Sequence, residues 1–365
     1  MFDMAQPYNE LPDLPPTGPL ETPHVLKQCV AAHRALGRLR AAAMTLPDQS
    51  ILINAIPMLE AQASSQIENI VTTADALFRA DALDRADDPA VKEALRYRTA
   101  LRHGVDAIST RPISTNLMIE VCSIITGIDA HIRSTPGTTL RGDQTGEVVY
   151  TPPTGEQVLR EKLAAWERFA HNDSDLDPLV RMALLHYQFE AIHPFHDGNG
   201  RTGRVLNLLL VLRDDLLDTP ILSLSDYILS TQDAYYRLLR AVTAEAAWEP
   251  WVLYLLEGIR LTAISTTTRI EAIRSLMITT TDRIRSEAPA SSSPLLLDVI
   301  FSKPYCRISD VVDAGVAKRQ RASVHLKALV DIGVLEEHAV NRDRIFLHRQ
   351  LLDVLRERTQ VPYAK

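Results

Sequence analysis

The chain has little cysteine. Of its 365 residues only three are Cys, at Cys29, Cys122 and Cys306, and no two are spaced C-x-x-C, which excludes a zinc ribbon or a thioredoxin-like motif. Scattered thiols fit a reducing compartment. Positive charge is not in excess either. The 39 Lys and Arg against 46 Asp and Glu leave a net charge of −7, which argues against a protein that coats nucleic acid or an anionic membrane. Long apolar runs are missing. The run "VLNLLLVL" is too short to span a bilayer. The opening "MFDMAQPYNELPDLPP" lacks the basic and apolar regions of a signal peptide. A soluble, cytoplasmic protein without a membrane partner is expected. No G-K-[ST] loop occurs, nor V-A-I-K, H-R-D or D-F-G, so neither a Walker A site nor a protein-kinase core is present. No long internal repeat is evident.

The composition is otherwise that of a globular chain, 46% hydrophobic and 23% charged, long enough for two or three domains. Apolar positions recur at three and four over 24–45, 51–80, 91–108, 115–131, 156–170, 178–192, 201–217 and 231–260, which predicts helices. Sustained period-two alternation is scarce before residue 300. One exception is "GEVVYTPP", Gly146 to Pro153, a turn residue leading into β-formers and a Pro-Pro stop. It reads as a short hairpin arm. The stretch "SEAPASSSP", Ser286 to Pro294, reads as a linker or loop. Beyond it come a helix ("LLLDVIF"), a short helix ("RISDVVDAG"), a longer one ("VAKRQRASVHLKALVDIGVL") and two strands around an "NRD" turn. That is the winged-helix order.

The densest chemistry lies between His193 and Arg204, "HPFHDGNGRTGR". Gly198, Gly200 and Gly203 spell G-x-G-x-x-G, but a dinucleotide fingerprint needs a preceding strand. Here a helical pattern precedes, and Pro194 ends it. His193 and His196 with Asp197 have metal-ligand spacing, yet they flank a helix end and need not share a face. His186 lies two turns back, too far to complete a site with both. His196 reads as a solvated loop residue. A phosphate cradle remains. Glycines let the backbone approach an anion, and the following helix adds free N–H groups and its positive dipole end. Arg201 and Arg204, three apart, can fork onto phosphate oxygens. Asp197 is a hard ligand suited to nucleotide-bound magnesium. His193 has the pKa range of a general base. The plain alternative is a glycine-rich helix–helix turn with surface arginines.

This stretch resembles the signature of the Fic family, H-x-F-x-[D/E]-G-N-[G/K]-R-x-x-R, at every specified position from His193 to Arg204. The resemblance implies a mainly α fold: a Fic-type helical bundle with a small β-hairpin flap and a C-terminal winged-helix domain. The implied division is an N-terminal helical segment over 1–109, a catalytic core over 110–260, a helical linker over 261–289 and a winged helix over 290–355. The implied activity is transfer of AMP from ATP to a Ser, Thr or Tyr hydroxyl of a target protein, and to the chain itself. His193 would be the base and Asp197 would hold Mg²⁺ or Mn²⁺. Gly198, Asn199, Gly200, Arg201, Thr202, Gly203 and Arg204 would bind ATP, with Arg204 reaching the terminal phosphate. Phe195 would anchor the loop. Gly200, where Doc-type kinases carry a lysine-containing loop, favours the transferase orientation. The segment 144–153 matches the flap that pairs with a target's backbone. Of Tyr235 and Tyr236, adjacent on a helix and so facing different ways, Tyr235 is expected on the adenine side.

Upstream, "ASSQIENIVTT" carries Ser64, Glu68 and Asn69 in the pattern [S/T]-x-x-x-E-[G/N], which resembles the family's inhibitory motif, here N-terminal to the core. Ser64 and Glu68 share a helix face. The resemblance implies a Glu68–Arg204 pair that occupies the arginine needed by ATP. A de-AMPylase or related phosphotransferase on the same site is the nearest alternative. A DNA-binding regulator is a third, since residues 307–350 hold eight Lys/Arg against six Asp/Glu, although a docking or structural role fits that small excess equally well. Homodimerisation is left open.

Overall fold

A computed structural model describes residues 3–142, 146–172, 175–340 and 343–357. Helix boundaries follow local chemistry. The Thr22 hydroxyl accepts the Val25 N–H at 3.2 Å and Pro23 opens α1 (Pro23–Ala43), where no donor is needed. The single helix expected over 51–80 is two, α2 (Ser50–Ile67) and α3 (Ala74–Leu83). Between them Asn69 turns left-handed at φ 63° and Thr73 caps α3 through the Ala76 N–H. Asp88 and Pro89 start α4 (Pro89–Ile108). Ser114 starts α5 (Thr115–Thr126), and Gly127 stops it before the expected residue 131.

The hairpin arm is present in its described part, with β1 (Leu140–Arg141) antiparallel to β2 (Val148–Tyr150) and Leu140 opposite Tyr150. Gln144 and Thr145, which belong to the expected flap segment, lie outside the described residues. Then follow α6 (Glu156–His171), α7 (Pro178–Ile192), α8 (Asn199–Arg213), α9 (Leu224–Ser230), α10 (Gln232–Glu245) and α11 (Trp248–Glu287). The helix expected over 231–260 breaks at Ala246, φ 55°. Most of the segment expected as a helical linker, 261–289, continues α11, which is one helix of 40 residues.

Helices α7 and α8 are buried on nearly every side, as helices apolar all round must be. Around them pack α4, α5, α6 and α11. The Trp166 and Trp251 indoles donate to the Leu185 and Ala183 carbonyls of α7, at 2.9 and 2.8 Å. The N-terminal segment runs past the end of β2, where the Tyr8 N–H donates to the Thr151 carbonyl at 3.0 Å.

After a short 3₁₀ turn come α12 (Pro294–Ser302), β3 (Tyr305–Arg307), α13 (Ile308–Asp313), α14 (Arg319–Asp331), β4 (Glu336–Val340), β5 (Asp343–Leu347) and α15 (Arg349–Arg356). The sheet has three antiparallel strands in the order β3–β5–β4. Strand β3 was not expected, and the turn residues Asn341 and Arg342 lie outside the described residues. This unit rests on α2 and α3. Asn54 donates to the Ser302 carbonyl at 3.4 Å, and the Tyr305 hydroxyl donates to Asp75 at 2.8 Å. Among the described residues no helix is long and apolar enough to cross a membrane.

Candidate active site

The loop between α7 and α8 is held from inside. His193 closes α7 in the left-handed region, φ 49° and ψ 60°, with its N–H on the Phe189 carbonyl at 3.0 Å. Pro194 forbids another turn. Phe195 is buried with its ring centroid 6.4 Å from that of Phe189, the anchoring role expected of it. The Asn199 side chain staples the loop to itself: its Oδ1 accepts the Phe195 N–H at 2.8 Å and its Nδ2 donates to the Phe195 carbonyl at 2.7 Å. So Asn199 can offer an anion only its backbone. Gly198 sits at φ 81°, and a Cβ there would press on Cys122 and Thr126 of α5. Helix α8 begins at once, and the N–H groups of its first turn have no intrahelical acceptor.

The two arginines in the first two turns of α8, Arg201 and Arg204, face different carboxylates. Arg201 is buried. It pairs with Glu93 of α4, a partner no motif signalled, and with Asp197 at 3.1 Å. Burial lowers its pKa, against the pull of Glu68. The Asp197 side chain is 72% exposed, and its Oδ1 also accepts the Gly198 N–H at 2.6 Å. His196 is exposed, as expected.

Arg204 is 3% exposed. Its Nε donates to the Ser64 hydroxyl at 2.8 Å, and its Nη2 donates to the Ser64 carbonyl at 3.0 Å and to Glu68 Oε1 at 2.7 Å. The sequence-predicted trio of Ser64, Glu68 and Arg204 is therefore brought together. The Glu68 carboxylate also lies over Gly200, where any Cβ would collide with it. A negative group thus rests on the first turn of α8, beside the place read as a phosphate cradle. Burial alone would raise the Glu68 carboxyl; the Arg204 guanidinium, helped by Arg201 and His193, holds it below the ordinary range. Burial works against the charge of Arg204, and Glu68 more than restores it. Asn69 follows at φ 63°, which explains the small or amide residue in that motif position: the backbone must turn left-handed there.

His193 is half-buried, and its Nδ1 has no hydrogen-bond partner. Burial, then the Arg133 guanidinium, pushes the ring down to about 4, against the upward pull of Glu68. The imidazole is neutral at pH 7 and can accept a proton. Two further groups escaped the sequence reading. Arg133 is buried against the end of α7. Glu190, one turn before His193, is raised to about 7 by burial, with Arg204 opposing and Glu68 adding to the rise. Its Oε1 has no partner and lies against Gly203, where a Cβ would meet it. Neither residue has a motif around it.

The two tyrosines differ in burial. Tyr235 is 2% exposed, packed among Trp251, Tyr254 and His186, with its hydroxyl 2.9 Å from His186 Nε2. It is a core residue. Tyr236, on the next face of α10, is 39% exposed and lies in the field of Glu68 and Arg204. Helix α10 packs on α11, so the face that carries Tyr235 is covered.

Residues 26–106 match the Fic/DOC family N-terminal region, 113–211 the Fic/DOC family itself, and 276–351 the C-terminal domain of SoFic-like protein adenylyltransferases. The chain belongs to the Fic/DOC family. It is 42% identical over 66 residues to the protein adenylyltransferase fic-1 of Caenorhabditis briggsae, 18% of this chain and 13% of that protein. It is 32% identical over 83 residues, 23% of this chain and 25% of the relative, to a probable protein adenylyltransferase of Aquifex aeolicus. These matches span a quarter or less of each relative. Among solved structures, a Fic family protein from Desulfovibrio desulfuricans superposes with a TM-score of 0.57 at 22% identity, covering 91% of this chain and 98% of that one. Fic-1 of Caenorhabditis elegans gives 0.52 at 21% identity, over 71% and 75%. Both likenesses speak to the fold.

Proposed function

We propose that this chain is a protein adenylyltransferase that moves AMP from ATP to a Ser, Thr or Tyr hydroxyl of target proteins and of itself, and that Glu68 restrains it. The observation that carries the reading is the Glu68 carboxylate seated on Gly200 and paired with Arg204 at 2.7 Å. An anion already sits where the backbone and arginine are built to receive one. ATP phosphates would take that position when Glu68 withdraws, with Arg204 free to clamp them.

In the transfer step, neutral His193 accepts the proton of the incoming hydroxyl. The hydroxyl oxygen bonds to the α-phosphorus while the bond to the α–β bridging oxygen breaks, and pyrophosphate leaves. Backbone N–H groups of the first turn of α8, from Asn199 to Arg201, and the Arg201 guanidinium would face the phosphates; Thr202 is buried, and its N–H is taken by the Gly198 carbonyl. Among the described residues no cluster of three His, Cys, Asp or Glu side chains could hold a metal alone. A lone, exposed carboxylate at Asp197 fits a magnesium or manganese ion held jointly with the nucleotide. Bound there, such an ion would neutralise phosphate charge. Tyr236 takes the adenine-side role, since Tyr235 is buried. The hairpin β1–β2 offers a target segment an edge for backbone pairing. The helix, strand and paired-helix order beyond residue 294, with its β3–β5–β4 sheet, supports a winged helix. Its seat on α2 and α3 favours a structural role over DNA binding.

Incubation with ATP labelled at the α-phosphate and a cell lysate tests the activity. Label on protein with release of pyrophosphate is the expected result. Transfer of γ-label with ADP as product would make it a phosphotransferase, and release of AMP from a modified protein would make it a de-AMPylase.

A further inference from the structure

We infer that Arg133 is a positioning residue, a guanidinium that ties the carbonyl end of α7 to the base of the flap and so fixes the pose of His193. The inference rests on the adenylyl-transfer reading of the site. Arg133 lies in the segment between α5 and β1 and is buried. An arginine at that depth ordinarily faces a carboxylate. Among the described residues Arg133 has no such partner; its acceptors are carbonyls. Its Nε donates to the His193 carbonyl at 2.7 Å, and its Nη2 donates to the Ile192 carbonyl at 3.3 Å and to the Pro153 carbonyl just past β2. Its own backbone N–H donates to the Pro194 carbonyl at 3.0 Å. The Tyr150 hydroxyl, at the end of β2, takes the Ala191 carbonyl at 2.8 Å. Four consecutive carbonyls, from Ala191 to Pro194, are thus held by the flap's end and by Arg133.

These carbonyls lie at the end of a helix, where intrahelical donors run out and the dipole favours a cation. The grip explains how a histidine stays in a left-handed conformation that a side chain avoids. Because one guanidinium holds both His193 and Pro153, a shift of the flap on target docking is felt by the base. The charge has a second effect. The groups facing His193 are Arg133, Glu68 from the end of α2 and the Glu190 backbone of its own helix. Of these Arg133 is the nearby cation that disfavours protonation of the ring, so it keeps the imidazole ready to accept.

The test compares Arg133→Met and Arg133→Lys in the full chain, each in a Glu68→Gly background, with circular dichroism to establish folding. The first readout needs no turnover: the titration of the His193 ring by NMR. Loss of the charge in R133M should raise that pKa by roughly one unit, whereas R133K should leave it near the parent. The second readout is AMP transfer. Both variants should lose about ten- to a hundredfold in kcat, since neither can fork onto separated carbonyls, with unchanged affinity for ATP and a raised KM for the target. A His193 pKa that does not move in R133M, or R133K with parental kcat and parental target KM, would overturn the inference. If R133M does not fold, R133K decides by the kinetic split. If the parent shows no transfer, the activity reading fails and the NMR titration still decides the link between Arg133 and His193.

Discussion

Asn69 shows how much a single backbone angle can carry. It follows Glu68 at φ 63°, so the turn that presents the carboxylate depends on a residue that tolerates the left-handed region. Asn69→Val should destabilise the fold by about 1–2 kcal/mol, seen as a lower melting temperature, and should raise AMP transfer as the Glu68 carboxylate loses its frame; Asn69→Gly should leave both near wild type. At His193, alanine should cost about 10²–10⁴ in transfer rate while ATP still binds. The depressed ring also sets a pH dependence. Protonation removes the acceptor, so kcat/KM should fall as pH drops through about 4, and not through the ordinary histidine range near 6.5. For Asp197, chelator should abolish transfer, and Asp197→Ala should raise the magnesium concentration needed for half activity. Full activity in excess chelator would remove the metal from the account. The signature residues were legible because their chemistry and spacing are local. Glu93, Arg133 and Glu190 were not, because each meets the site only through the packing of α4, the segment before β1 and α7 around α8. Tyr235 and Tyr236 cannot be ranked from the sequence for a similar reason. Adjacency shows that they face apart, and only the docking of α10 on α11 shows which face is covered.

At the scale of elements, the loop from His193 to Asn199 works as one stapled unit. The Asn199 amide satisfies both the N–H and the carbonyl of buried Phe195. Asn199→Ala strands both groups, at a cost of about 1–3 kcal/mol for each. We expect a clear loss of melting temperature together with reduced ATP affinity, because the cradle backbone follows the loop. Unchanged stability would mean that the staple is not what holds the turn. Helices were read well from apolar periodicity, and their ends less well. Periodicity ran through Glu68–Thr73 and through Ala246 because apolar residues continue past both breaks, while the breaks are made by left-handed backbone at Asn69 and Ala246. Strand β3 spans three residues, too few for alternation to register. It exists because β5 supplies its partner.

At the scale of the whole molecule, the segment that carries Glu68 is fixed from two sides. Helix α2 delivers the carboxylate to α8, and α12 and β3 seat the C-terminal unit on α2 and α3. On the proposed reading, Glu68 paired with Arg204 and seated on Gly200 keeps ATP from a productive pose, and the central claim is that removing that side chain opens the site. The measurement is AMP incorporation by wild type, Glu68→Gly, Arg204→Ala and the double variant under one condition, with ATP binding and folding verified for each. Glu68→Gly should incorporate AMP well above wild type, on added protein and on itself. Arg204→Ala and the double variant should not, because the phosphate clamp is lost along with the restraint. A folded, ATP-binding Glu68→Gly protein that incorporates AMP no faster than wild type would contradict the account.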